Sequence, residues 1–366
     1  MVAESFEIAR HAAALVRVTY RADAHDTDFT AARGRAAVPS RKRNGIPGPA
    51  GPEGDAEKAQ RAAPFKVAGE YRIATEHHNP MEPHATTVVY DGGKLTIHDK
   101  IQGVTNSHGY VTRVFGLRED EVRVISPYVG GGFGSGLRPH HQLFLAVMAA
   151  LGLKRSVRLE LTRDQMFPFV HRPETLNIVS LGADHDGHLA AMRHEAIGAT
   201  SRIEEHQEAV VNWSSLLYAP PAFELAYKLA PLDIPTPGDM RAPGPPLGVF
   251  AIESAMDELA EAMDMDPLTL RLRNYAERDA NEDAPFTSKE LRACYQVGAE
   301  RFGWSRRKSV PGSLREGRER IGLGMAPGVW DAQMVTTSAR AVLDAEGRLE
   351  VATATADIGT GTYTIL

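Results

Sequence analysis

The chain has 366 residues, 43% apolar and 24% charged, an ordinary balance for a globular protein of two or three domains. A formal net charge of -6 argues against a dedicated binder of nucleic acid or of anionic membranes. With one cysteine, Cys294, the chain holds no internal disulfide, no cysteine-based zinc site and no iron–sulfur cluster of its own.

The first sixteen residues place Glu4 and Glu7 among apolar positions at helical spacing, which predicts a short amphipathic helix over 4–16 and not a signal peptide. "VRVTY" (16–20) reads as a strand. Residues 21–63 are polar, with the Pro/Gly stretch "GIPGPAGPEG" at 45–54, and read as a linker. The basic cluster "SRKRN" (40–44) has no interleaved aromatic residues, so a solvated segment is favoured over a nucleic-acid patch. The most apolar run, "LFLAVMAALGL" (143–153), is too short to cross a bilayer.

From residue 64 the texture becomes compact. Three hairpins are predicted, over 86–101, 175–197 and 339–356, each with β-rich arms around an Asp- and Gly-containing turn. Helices are predicted over 139–151, 250–263, 267–277 and 288–302. Ile252, Met256, Leu259 and Met263 form a core stripe on the second of these. Asp266-Pro267 reads as an N-cap followed by proline at the first helical position, and Thr287 with Glu290 as a capping box. Hairpins mixed with isolated helices predict an α+β fold rather than a doubly wound parallel sheet.

The stretch "VISPYVGGGFGSGLRPHH" (124–141) sets five glycines in seven positions between a predicted strand and a predicted helix. Such a turn aims several backbone N–H groups and the positive end of a helix at one point, a site for an anion or a metal-oxo oxygen. A tight turn between closely packed elements would use the same glycines. The dinucleotide fingerprint fails in its spacing, and a Walker A loop fails because Leu137 and Arg138 follow Gly136. A second glycine turn, "ADIGTGTYT" (356–364), also follows a strand. Two such turns suggest one extended cofactor held through main-chain amides.

Other constellations are weaker. "HEAIG" (194–198) lacks the second histidine of a zinc motif, and the adjacent pairs His77-His78 and His140-His141 cannot chelate from one helix face. His84 and His171 are expected to be structural, and Cys294 a buried inert thiol within a helix. Arg241 stands in the Pro/Gly-rich loop "PTPGDMRAPGPPLG" (235–248) ahead of a helix, a stiff setting for a cation that faces an oxyanion, although a solvated loop would look the same.

The ordered motifs "NPMEPH" (79–84), "VGGGFGS" (129–135), "HRPET" (171–175), "MRAPG" (240–244), "MDPLTLRLRN" (265–274) and "DIGTGTYT" (357–364) resemble the molybdenum-cofactor-binding large subunit of the xanthine dehydrogenase/aldehyde oxidase family. The bacterial, periplasmic-type aldehyde oxidoreductases are the nearest branch. The resemblance implies a remnant of the small N-terminal domain at 1–20, the linker at 21–63, a first molybdopterin-binding domain at 64–310 and the start of a second at 311–366. In that family Gly131, Gly132, Phe133 and Gly134 would let backbone amides approach the metal's oxo group and the pterin. Gln102 would hydrogen-bond an oxo ligand, Gly359, Thr360, Gly361 and Thr362 would cradle the pterin and its phosphates, and Arg241 would face the substrate oxygen.

The implied chemistry is oxidative hydroxylation of an aldehyde to a carboxylic acid, by metal-hydroxide attack and hydride transfer to a sulfido ligand. No side chain would bind the metal directly; a pterin dithiolene, as a cytosine dinucleotide, would hold it. Electrons would leave through 2Fe-2S and FAD centres on an iron–sulfur subunit and a FAD subunit of a heterotrimer, cytoplasmic or exported with a partner. Leu137 stands where purine-oxidising members carry a glutamate, which favours an aldehyde over a purine. Gly136 replaces a common lysine and Pro245 a common acidic residue. The family's general-base glutamate would fall beyond Leu366, so the chain reads as partial at both ends; the alternatives are an inactive fragment of such a subunit and an unrelated α+β protein that binds phosphate or a nucleotide.

Overall fold

A computed structural model describes residues 1–40, 46–331 and 334–366. The basic cluster at 41–44 lies outside the described residues. Two four-stranded sheets, each covered by helices, form the body of the molecule, which gives the mixed α+β architecture expected.

The core sheet runs in the order Phe65–Ile73, Thr175–Ala183, Leu189–Ser201 and Phe223–Leu232. Its first two pairings are antiparallel and its last is parallel. Strand residues alternate between faces, and both faces are buried. Val179 and Leu181 pack with Leu247, Ala251, Ile252, Met256 and Leu259 of the long helix Pro245–Ala262. Leu176, Ile197 and Ala199 point the other way and meet Phe29 and Ala32.

The segment 21–63 is therefore not solvated along its length. Phe29–Ala32 and Ala56–Ala62 are short helices, Ala37 and Glu53 bridge to Leu229 and Phe223, and Gly182 lets the second helix approach the sheet closely. Phe29, Ala32, Ala50, Ala56 and Ala63 are buried in this packing, which the many polar residues between them hide.

The second sheet has the order Val122–Ile125, Lys94–Asp99, Ala85–Asp91, Val157–Glu160. Helices Val104–Phe115 and His141–Leu153 cover it, with Val88, Leu95, Ile97, Val111, Leu143 and Val147 as the core. Lys94–Asp99 and Val122–Ile125 are parallel neighbours, in register from Leu95 with Val122 to His98 with Ile125, and the first of these helices makes the crossover. Parallel strands end on the same edge, so the segments that leave them emerge side by side.

All three expected hairpins form. The expected strand at 16–20 does not, because no described strand lies beside it; these residues follow an exposed helix, Phe6–Ala14, capped by Ser5. The long helix starts at Pro245, five residues earlier than expected, since proline suits the first helical position. The helix predicted over 267–277 ends at Arg273, where Asn274 turns its side chain back to the Leu270 carbonyl. Asp266 caps that helix as expected, accepting from the Thr269 amide at 3.0 Å. The Thr287–Glu290 capping box is absent: Glu290 itself is the N-cap of Leu291–Phe302 and makes no capping bond. Cys294 on that helix is exposed, on its solvent side, and not buried as expected.

Candidate cofactor site

The chain leaving Lys94–Asp99 carries Lys100 and Gln102, and the chain leaving Val122–Ile125 becomes the glycine loop. The two meet directly. The Gln102 amide donates to the Gly136 carbonyl at 2.7 Å, and the Gln102 Oε1 accepts from the Gly134 and Gly136 amides at 3.1 Å each. Two N–H donors at one end of the carboxamide fix that end as oxygen. Gln102 Nε2 is thereby left as a donor with no partner among the described residues. Gly132 packs on the same carboxamide, which a Cβ would meet at 2.8 Å.

The loop exposes its own donors. The amides of Gly131, Gly132 and Phe133 make no hydrogen bond to any described residue. Backbone φ is +102° at Gly131, +54° at Phe133 and +94° at Gly134, and successive N–H groups in such turns form anion-binding concavities. A phenylalanine with φ near +54° is uncommon and its strain is held by neighbours, a pattern that concentrates at functional sites. Glu82 secures the entry to the loop: its carboxylate accepts from the Gly130 amide at 2.7 Å and its amide donates to the Gly130 carbonyl at 3.0 Å.

A second loop, 235–244, lies against the first. The Arg241 amide donates to the Phe133 carbonyl at 2.8 Å. Gly134 is so close that a Cβ would stand 2.3 Å from the Asp239 carbonyl oxygen. Beneath, Arg172 Nη2 donates to the Arg241 carbonyl at 2.7 Å and His78 Nε2 to the Asp239 carbonyl at 2.8 Å. The Arg241 guanidinium is exposed and has no carboxylate partner among the described residues. The Pro245–Ala262 helix that follows is anchored by the fully buried Arg271, which donates to Glu253 at 2.7 Å and pairs with Asp257 at 2.8 Å. This gives "MDPLTLRLRN" a supporting role behind the arginine loop.

Under the glycine loop lies a bed of basic groups. Lys100 Nζ donates to Ser135 Oγ at 3.0 Å, and Ser135 Oγ donates to the Gly132 carbonyl at 2.7 Å. His140 donates to the Ser135 carbonyl, and the His84 ring stands edge-on to His140 at 4.9 Å. Burial pushes the Lys100 ammonium down to about 8 and the His84 imidazole down to about 2, and lowers His78 and His140 as well.

The remaining expected site residues are placed less closely together. Leu137 is half-buried at the end of the glycine loop, its amide donating to the Gly134 carbonyl at 3.0 Å. The second glycine turn closes on itself: the Asp357 carboxylate accepts from the Gly359, Gly361 and Tyr363 amides at 2.8, 3.3 and 3.2 Å, which holds its carboxyl below the usual range. Among the described residues no hydrogen bond links Gly359, Thr360, Gly361 or Thr362 to the first loop. Sequence reasoning missed Glu82, Lys100 and Arg172, although two of them lie inside "NPMEPH" and "HRPET" and the third is two residues from Gln102.

Among the described residues the unpartnered donors gathered here are three main-chain amides, Gln102 Nε2 and the Arg241 guanidinium. The set fits a ligand rich in oxygen acceptors. Family models described as molybdopterin cofactor-binding domains match residues 39–275 and 297–366. The chain belongs to the molybdopterin cofactor-binding family.

It is 36% identical over 373 aligned positions to the aldehyde oxidoreductase molybdenum-binding subunit PaoC of Escherichia coli K12, covering 100% of this chain and 50% of that protein. It is 27% identical over 330 positions to the xanthine dehydrogenase molybdenum-binding subunit of Escherichia coli O157:H7, covering 85% of this chain and 43% of that subunit. The chain spans about half the length of the curated relatives it matches. Among solved structures, aldehyde oxidoreductase from Desulfovibrio gigas shares the fold, with a TM-score of 0.76 at 24% identity over 95% of this chain and 40% of that one. The family match supports the resemblance read from the ordered motifs.

Proposed function

We propose that this chain supplies the glycine-loop side of the cofactor site in a molybdenum-dependent subunit that oxidises aldehydes to carboxylic acids. The observation that carries the reading is the Gln102 carboxamide. Its oxygen is held by the Gly134 and Gly136 amides and its NH2 is left to donate, beside three free amides of the same loop. When bound, the molybdenum cofactor would supply oxygen transfer and accept two electrons from the substrate.

The chain's own residues have separable tasks in this reading. Gln102 Nε2 and the Gly131–Phe133 amides would hold oxygen acceptors of the cofactor, and the Gly134 contact would keep the arginine loop in place. Gly359, Thr360, Gly361 and Thr362 would bind the pterin phosphates, with the Asp357 carboxylate giving up turn amides to them. Arg241, exposed and without a carboxylate partner among the described residues, would neutralise charge that develops on the substrate carbonyl oxygen, where a fixed donor lowers the barrier most. Leu137 would line the substrate pocket and offer a purine no hydrogen-bond partner, which favours an aldehyde.

The finer assignments follow the same reading. The pterin would be a cytosine dinucleotide, and a heterotrimer would provide 2Fe-2S and FAD subunits, since one cysteine cannot hold a cluster. The complex would be cytoplasmic, or periplasmic if a partner exports it. No helix among the described residues is long and apolar enough to cross a membrane. The test is the molybdenum content of this chain purified natively from a host that makes the cofactor. About one metal per chain is expected, and a metal-free chain with bound nucleotide overturns the reading.

A further inference from the structure

Lys100 is a buried charge that the proposed function leaves unexplained. It is 3% exposed, and among the described residues its ammonium has no carboxylate within ion-pair distance. The nearest acid in sequence, Asp99, is already satisfied by the hydroxyls of Thr86 at 2.6 Å and Ser107 at 2.9 Å. The Glu82 and Asp99 carboxylates favour its charge from beyond ion-pair distance, but burial outweighs them, so the fold retains the ammonium against a standing penalty. Among the described residues its side chain makes one hydrogen bond, to Ser135 Oγ.

That bond has a directional consequence. A charged lysine only donates, so Ser135 Oγ must accept from it and direct its own proton elsewhere. The proton goes to the Gly132 carbonyl, which also accepts from the Ser135 amide at 2.8 Å. In a trans peptide the C=O and the next N–H point in opposite directions. Holding the Gly132 oxygen down toward Ser135 therefore turns the Phe133 N–H up and away from Lys100. The other side of Phe133 is held by the Arg241 amide. The Phe133 residue, strained at a φ of +54°, is thus clamped from both sides.

We propose that Lys100 is a positioning residue: acting through Ser135, it sets the Gly132–Phe133 peptide plane and so presents the Phe133 amide to the bound cofactor. The cofactor half of this statement rests on the function proposed above. Lys100 and Gln102, two residues apart on one chain segment, then divide the loop between them. Gln102 holds its outer amides and Lys100 its central peptide.

The test uses the full chain, made in a cofactor-producing host, as Lys100→Met, Ser135→Ala and the double variant. Site-resolved hydrogen exchange is read at the Ser135 amide in cofactor-free protein, with the 175–183 and 189–201 strands as internal controls, and molybdenum content is read in parallel. Methionine keeps the buried volume and removes the charge, so the fold should survive. Each single variant is expected to speed exchange at Ser135 at least tenfold without moving the control strands. The double variant should go no further than either single, because the two residues act in series. Metal content should fall in all three. Additive effects in the double variant, or normal exchange in Lys100→Met, would overturn the inference even if the wild-type chain binds metal. Series coupling among the variants, with a wild-type chain that takes up no molybdenum, would instead keep the clamp and overturn its cofactor purpose.

Discussion

The Arg241 amide donates to the Phe133 carbonyl at 2.8 Å, and this bond joins two loops that are more than a hundred residues apart in sequence. It works only because Gly134 has no side chain. A Cβ at that position would stand 2.3 Å from the Asp239 carbonyl oxygen, and the obstacle is backbone, which cannot swing aside as a flexible side chain can. The φ of +94° adds a second penalty for any other residue.

Gly134→Ala should therefore separate the loops. The expected cost is about 1–3 kcal/mol, the usual scale for forced overpacking, together with loss of molybdenum from the purified chain. Thermal denaturation and metal analysis check both parts. A variant that keeps its melting temperature and its metal would show that the two loops need not touch.

Gln102 offers a cleaner separation of roles. A glutamate in its place can still accept from the Gly134 and Gly136 amides, but it has no NH2 to donate. Gln102→Glu should leave the loop folded, with stability within about 1 kcal/mol of the parent, because charge-assisted acceptance replaces neutral acceptance. Turnover of an aldehyde by the complete enzyme should nevertheless fall at least tenfold. If Gln102→Glu turns over normally, the free donor at Nε2 has no part in the reaction.

The sequence showed the site wherever the signal was local. A strand, five glycines and a helix follow one another between residues 122 and 153, and Arg241 sits in a loop whose prolines and glycines announce it. The residues it concealed act across long separations: Lys100 reaches Ser135 35 positions away, Glu82 reaches Gly130 48 away, and Arg172 reaches Arg241 69 away. Nothing in a charged residue's local context says which distant backbone it will serve. The same limit explains the strand expected at 16–20, where a β-rich pattern has no neighbour to pair with. It explains Phe29 and Ala32 too, whose burial depends on a face of the core sheet built nearly 150 residues later.

Arg241 itself can be tested without disturbing the fold, since its guanidinium is exposed and has no carboxylate partner among the described residues, while its backbone carries the contacts. In the complete enzyme, Arg241→Ala should lower kcat/KM for an aldehyde by about 2–4 kcal/mol of transition-state stabilisation. Urea unfolding should be unchanged. Near-parental kinetics would remove the side chain from the mechanism and leave Arg241 as a main-chain tether.

The buried histidines predict how the fold responds to acid. Burial lowers His84 to about 2, His171 to about 4 and His194 to about 3, each from an ordinary value of 6.5. His194 shows why the neutral form is kept: Ser214 and Asn177 engage its two nitrogens at 2.8 and 3.0 Å, and among the described residues no acid pairs with it to balance a charge. All three are depressed in the folded state, so the unfolded chain binds more protons below pH 6.5. The stability they contribute is complete above that pH and is lost as pH falls toward the folded values. Well below pH 6 and above about pH 4 the three together should cost about 4 kcal/mol per pH unit, at roughly 1.4 kcal/mol for each proton. Urea titrations at half-unit steps from pH 7 to 4.5 follow this loss, to which His78, His140 and His141, also lowered by burial, add in the same direction. His194→Gln, which can donate to Asn177 and accept from Ser214, should remove one proton's share of it. A urea midpoint that stays level from pH 6.5 to 5 would mean that these imidazoles are hydrated and free to charge in the folded protein.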